Sequence, residues 1–265
     1  MNIFFHEFRH YLKSSLYYLL GMILTATVYF SFYPMFSADV ANFLKLMQNF
    51  PPEMQQALGL DFLNLSSILG YYSFMMVFIA LVAAVWTMNL GVSILSREER
   101  EKTADFLFTR PASRMKIVAS KLSAALSLIL LNNMIYFPAA WLILSLISGG
   151  TFSLKTFILL NLSLLFLELF FLSLGFLIGV FLRRIKSTIS LSLGAVFGLF
   201  AIGAFGVTES DDPLRFLAPF KYFDSNHILV KGSVEWLYPA LGLAACVLFV
   251  SVACVIAVRK DLEGV

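Results

Sequence analysis

"SREEREKTADFLFTRPASRMKIVASK", residues 96–121, carries eleven charged side chains and lies between two runs, 67–95 and 122–147, that carry none. A polar segment between uncharged runs of more than about 20 residues is the pattern of a chain that crosses a hydrocarbon core of about 30 Å, turns, and crosses back. The rest of the sequence repeats it. Hydrophobic residues make up 60% and charged ones 13%, with a mean hydropathy of +0.86, whereas a soluble domain carries about a quarter charged residues. Six candidate spans emerge at 15–36, 67–95, 122–147, 157–182, 188–207 and 236–258, and Glu168 is the one Asp, Glu, Lys or Arg inside them. Each reads as a helix, because lipid offers no partner to an open strand edge and no alternating barrel pattern is present. The fold class is therefore all-α: a polytopic membrane protein with six transmembrane helices, and a single domain over 1–265 with no linker or repeat to divide it. The first run exceeds the apolar core of a signal peptide and no small-residue cleavage site follows, so it reads as an uncleaved span.

Orientation follows from the 19 Lys and Arg residues. Fourteen fall on one side: Arg9, Lys13, Arg97, Arg100, Lys102, Arg110, Arg114, Lys116, Lys121, Arg183, Arg184, Lys186, Arg259 and Lys260. The other side takes five, Lys45, Lys155, Arg215, Lys221 and Lys231. The excess marks the cytosolic side, so both termini and the 96–121 loop are expected in the cytoplasm, with the chain in the plasma membrane. The formal charge of +3 reports this asymmetry and implies no nucleic-acid partner. Tyr71, Tyr72, Trp236 and Tyr238 are expected at the outer headgroup level, where amphipathic rings settle. Two outer excursions, 39–66 with Pro51-Pro52 and 208–235 with Pro213 and Pro219, read as short helices lying on the bilayer or dipping into it.

His6-Glu7-Phe8-Arg9-His10 has the H-E-x-x-H form that places two imidazoles on one helical face for zinc. Catalytic zinc wants a third protein ligand, and the remaining histidine, His227, falls on the opposite side of the membrane. Phe4, Phe8, Tyr11 and Leu12 instead form a stripe, with Arg9 and Lys13 off it, so residues 1–14 read as an amphipathic interfacial helix leading into the first span. Cys246 and Cys254 are eight positions apart in one helix, about 12 Å, beyond disulfide reach. No phosphate-cradling Gly-rich loop is present, so any ATP must be bound by another chain. Gly175-x-x-x-Gly179 and Gly194-x-x-x-Gly198 suit close backbone approach of spans four and five. Glu168, midway along span four, costs at least about 2.5 kcal/mol to insert. It reads as a polar or proton site on a transport path or as a hydrogen-bonded packing group.

In the opening segment Ser96 and Glu99 have capping-box spacing, and acids at Glu98, Glu99 and Glu101 suit a helix N-terminus. Phe106, Leu107 and Phe108 supply an apolar patch, Pro111 stops that helix, and Ser113 caps the next one, which carries Arg114, Lys116 and Lys121 into span three. The expectation is a short cytoplasmic helix between spans two and three, then an elbow.

This segment resembles the cytoplasmic signature of type-2 ATP-binding-cassette (ABC) transporter permeases: Glu-x-Glu-x-Gly-Thr, a Leu-Leu-x-x-Pro core, Ser-Arg, and a Lys about seven residues on. The matching residues are Glu99, Glu101, Thr103, Leu107, Pro111, Ser113, Arg114 and Lys121, while Lys102 stands at the usual Gly and Phe108 at a frequent Leu. "NIFFHEFRHYLKSSLYYLL" (2–20) is similar to the family's amphipathic N-terminal helix, and "LAPFKYFDSNHIL" (217–229) to a motif before its last span. The resemblance implies a homo- or heterodimer of permease subunits, usually an exporter. Each subunit would dock a separate cytosolic ABC ATPase through a coupling helix in loop 96–121. It assigns coupling contacts to Glu99, Glu101, Thr103, Leu107, Pro111, Ser113 and Arg114, and the segment's own pattern of an apolar anchor with a charged rim adds Glu98, Phe106 and Arg110. It also implies no cofactor in this chain, with ATP and Mg bound by the partner, and no catalysis by this subunit.

Two other classes remain on the residues alone. A secondary transporter would use Glu168 with an ion gradient, although such proteins usually show repeats and several intramembrane charges. A membrane metalloprotease would use the HEFRH segment.

Overall fold

The computed structural model describes residues 3–40, 42, 45, 67–100, 113–182, 186–206, 213–223 and 225–259. Among the described residues every regular element is helical: α1 (Ile3–Ser31), α2 (Tyr33–Ala38), α3 (Ile68–Arg100), α4 (Arg114–Ser148), α5 (Leu154–Phe181), α6 (Thr188–Ala201), α7 (Ser225–Lys231) and α8 (Leu237–Arg259). Six are long and apolar enough to cross a membrane, α6 with the π turn that extends it. They coincide with the six uncharged runs, as hydrophobic length alone requires.

Two boundaries differ in detail from the sequence expectation. The interfacial segment and the first span form one unbroken helix of 29 residues, about 43 Å at 1.5 Å per residue, longer than the hydrocarbon core. Ser96 does not cap a new helix. It is buried inside α3 and its Oγ donates to the Val92 carbonyl at 2.8 Å, so the 33-residue α3 runs on to Arg100. The capping-box spacing failed as a signal because a serine already bonded four residues back has no need to start a helix. Ser113 does cap α4: its backbone is extended and its Oγ accepts from Lys116 N at 3.3 Å. Gly149, at φ 64°, then closes α4, and Ser153 caps α5. The left-handed backbone at Gly149 is one that a residue without Cβ adopts at no steric cost.

The most extensive pairing is between α3 and α5. It rests on glycine. A Cβ on Gly91 would strike the Leu172 carbonyl, one on Gly175 the Met88 carbonyl, and one on Gly179 would come within 2.8 Å of the Val92 carbonyl. The Gly175/Gly179 pair therefore presses span four onto span two, not onto span five. Gly194 and Gly198 have nothing within 4 Å. A small-residue motif predicts closeness but cannot name the neighbour.

Around this pair the core forms three clusters, represented by Phe30, Tyr72 and Leu144 toward one end, by Phe170, Phe171 and Val196, and by Trp86, Ile94 and Phe176 toward the other. Tyr71 and Tyr72, in the first turns of α3, are buried in the first cluster. Tyr71 donates to the Tyr29 carbonyl at 2.9 Å and Tyr72 to Asn161 Oδ1 at 2.7 Å. Tyr238 is likewise buried, beneath the Arg215 guanidinium at 3.8 Å, and Trp236 alone of the four rings is largely exposed, at 66%.

The described part of the 208–235 excursion, from Pro213 on, packs inward. Two 3-10 turns, Pro213–Leu217 and Pro219–Lys221, bring Phe220 onto Phe171 and Tyr222 onto Phe166 and Phe170, level with the middle of α5. Arg215 anchors it, bonding Lys221 O at 3.0 Å and Glu235 Oε2 at 2.9 Å, while Glu235 Oε1 holds His227 Nδ1 at 3.1 Å.

Candidate functional site

Ends of four helices meet where the loop leaves the bundle. Arg97, near the C-terminus of α3, donates through Nη2 to Glu7 Oε1 of α1 at 3.2 Å. Lys121 of α4 reaches the same oxygen at 3.8 Å and donates to the Ile94 carbonyl of α3. Arg114, in the first turn of α4, donates through Nη1 to the Val258 carbonyl of α8 at 3.1 Å. The N-terminus, both edges of the loop and the end of the last span therefore lie at one end, the grouping that the charge count made. Ser113 and Arg114 of the expected coupling set are brought to this end. Glu101, Thr103, Phe106, Leu107, Arg110 and Pro111 lie outside the described residues, as do the side chains of Glu98 and Glu99.

The H-E-x-x-H segment is placed by the same contacts. His6 Nε2 stands 3.4 Å from Arg97 Nη2, and Glu7 is 2% exposed. His227 is at the opposite end with Glu235 and Ser233. Among the described residues no three His, Cys, Asp or Glu side chains converge for a metal.

Deeper in the bundle the buried polar groups continue from that end in steps. Ser15 of α1 donates to Asn132 Oδ1 of α4 at 2.9 Å. Asn133 donates through Nδ2 both to the Ile129 carbonyl at 2.9 Å and to Glu168 Oε2 of α5. Glu168 is 1% exposed, and its Oε1 and Asn133 Oδ1 have no hydrogen-bond partner. Tyr72 and Asn161 form the next step, toward the far end. From Lys121 to Asn133 the rise along α4 is about 18 Å, so the polar groups span well over half of the hydrocarbon thickness. At the far end a cavity of about 430 Å³ is lined by hydroxyl-bearing residues, among them Tyr33, Ser148 and Thr151, together with the apolar Ile68, Phe152 and Leu229.

Sequence reasoning singled out Glu168, Ser113 and Arg114, whose contacts are given above, and passed over Glu7, Asn132, Asn133 and Asn161. The signals were present. Glu7 lies three residues after Phe4 and four before Tyr11, on the apolar stripe, where an acid needs a buried partner. The amides interrupt otherwise apolar runs, Asn132 and Asn133 at mid-span and Asn161 nearer one end, where an unpaired polar group is costly.

Six helices long and apolar enough to cross a membrane define the class of a multi-pass membrane protein. Comparison with protein families matches "ABC-2 family transporter protein" over residues 1–262. The chain belongs to that family: it is a transmembrane ABC transporter subunit and is not itself the ATPase. A search of curated proteins found no match.

Proposed function

We propose that this chain is the permease half of an exporter. A separate cytosolic ABC ATPase, which binds ATP and Mg, docks on loop 96–121 and energises it, and both termini are cytoplasmic. The family match over nearly the whole chain carries the reading. The described geometry supports it, because a docked ATPase can move a membrane path only by gripping an element joined to spanning helices. Here the loop leaves α3 and enters α4, helices of 33 and 35 residues that cross the bundle without a break. Phe106 and Leu107 are the apolar anchors of the dock, and Glu98, Glu99, Glu101, Thr103 and Arg110 its polar rim, with Pro111, Ser113 and Arg114 forming the elbow.

The path itself lies between two permease subunits, identical or different. Support comes from the interior of one subunit, where backbone contact between α3 and α5 leaves the centre packed. Glu168 lies inside one subunit, bonded to Asn133 and 1% exposed, so it serves that path as a buried ionisable group behind its wall and does not line it; its unpartnered Oε1 favours such a role.

The test is affinity purification of the tagged chain from its native membranes. The reading requires a stoichiometric nucleotide-binding chain in the eluate whose ATP hydrolysis changes on removal of the permease. A permease that elutes without one from intact membranes, at every salt concentration tried, contradicts it.

A further inference from the structure

Glu7 is a buried carboxylate that neither a transport path nor an interfacial helix requires. Its Oε1 faces two cations, Arg97 Nη2 at 3.2 Å and Lys121 Nζ at 3.8 Å, and the side chains of all three are at most 10% exposed. These cations stand on either side of loop 101–112, one in the last turns of α3 and the other two turns into α4. Lys121 also holds the Ile94 carbonyl, so α3 and α4 are joined to each other as well as to α1. Phe8, Tyr11 and Leu12 pack beside the cluster on the apolar core. Apolar packing alone lets helices slide by small steps, whereas a desolvated charge cluster fixes one register, because any slip leaves a charge unpaired.

We infer that Glu7 is a positioning residue for energy coupling: it clamps α1 to both helices that bound the loop, so that a push on the loop moves α1, α3 and α4 together. This rests on the proposal that an ATPase docks on the loop. Glu7 acts through Arg97 and Lys121 and touches neither nucleotide nor substrate. Without the clamp the loop still binds its partner, but its displacement is absorbed by local sliding of α3 against α1.

Three arms test this in the assembled permease–ATPase complex reconstituted in lipid nanodiscs. Glu7→Gln keeps the shape and removes the charge. It is expected to leave copurification of the ATPase intact while lowering the permease-dependent part of ATP turnover at least about fivefold, the lower range of usual coupling effects. Glu7→Asp, which keeps the charge, is expected to retain part of the response. The third arm holds even where Glu7→Gln folds poorly. Glu7→Cys with Arg97→Cys, in a chain carrying Cys246→Ser and Cys254→Ser, is either capped with a monofunctional maleimide or bridged with a short bismaleimide. Bridging is expected to restore permease-dependent turnover relative to capping in the same folded preparation. Wild-type turnover in Glu7→Gln, or equal turnover in the capped and bridged samples, overturns the clamp. A wild-type chain that binds no ATPase overturns the docking proposal instead, so the two failures are distinct.

Discussion

Arg114 Nη1 donates to the Val258 carbonyl at 3.1 Å, fastening the first turn of α4 to the last turn of α8. The bond is long-range and partly exposed, so it adds little to folding, and exposed charged contacts are typically worth ~0–1 kcal/mol. Its consequence is mechanical, because a helix that enters from the loop is held to the last span. Arg114→Met is therefore expected to lower permease-dependent ATP turnover while the ATPase still copurifies. Release of the ATPase by this substitution would make Arg114 a binding residue instead.

The α3–α5 contact gives a stability prediction with an internal control. Gly175→Ala drives a methyl into the Met88 carbonyl and is expected to cost roughly 1–3 kcal/mol, the usual penalty of overpacking. Gly194→Ala meets nothing within 4 Å and should be neutral, or stabilising by up to about 1 kcal/mol through helix propensity. Thermal unfolding in detergent separates them, and equal midpoints would refute the close contact.

Glu168→Gln keeps an oxygen to accept from Asn133 and removes the titrating proton. Assembly with the ATPase should survive and transport should fall. Glu168→Leu, which leaves the buried Asn133 amide short of an acceptor, should instead destabilise the protein by about 1–3 kcal/mol. Full transport by the Gln variant would assign Glu168 to packing alone.

Topology is read by labelling. Single cysteines at Lys45 and Lys231, in a background without Cys246 and Cys254, are expected to react with an impermeant maleimide on intact cells, and one at Lys102 is not. The reverse pattern would invert the orientation derived from the fourteen-to-five distribution of Lys and Arg.

The six spans were legible because length and absence of charge suffice to define them. The Ser113 cap was legible because a hydroxyl two turns before Lys121, at the edge of an apolar run, has a local job. Tertiary partners were not legible. Gly175-x-x-x-Gly179 announced close packing, yet only the folded bundle shows that Met88 and Val92 face it. Tyr71 and Tyr72 were read for membrane depth alone, and the partners they hold, the Tyr29 carbonyl and Asn161, were not legible. Glu7 was hidden by the H-E-x-x-H spacing around it, which drew attention to the imidazoles and away from an acid on an apolar face. Arg97 and Lys121 were counted for orientation, and a count says nothing of the carboxylate they share.

The docking of an ATPase on loop 96–121 is tested most directly by truncating its apolar anchors. Phe106→Ala combined with Leu107→Ala, in a chain that still folds and inserts, is expected to abolish copurification of the ATPase or the permease-dependent part of its turnover. A buried interfacial anchor is worth about 2 kcal/mol or more. Glu98→Ala, removing one rim charge, should change either by no more than the ~0–1 kcal/mol of an exposed ion pair. A double variant that keeps both full ATPase binding and full coupling would contradict docking there, and the charged loop would then serve only to orient the chain in the membrane.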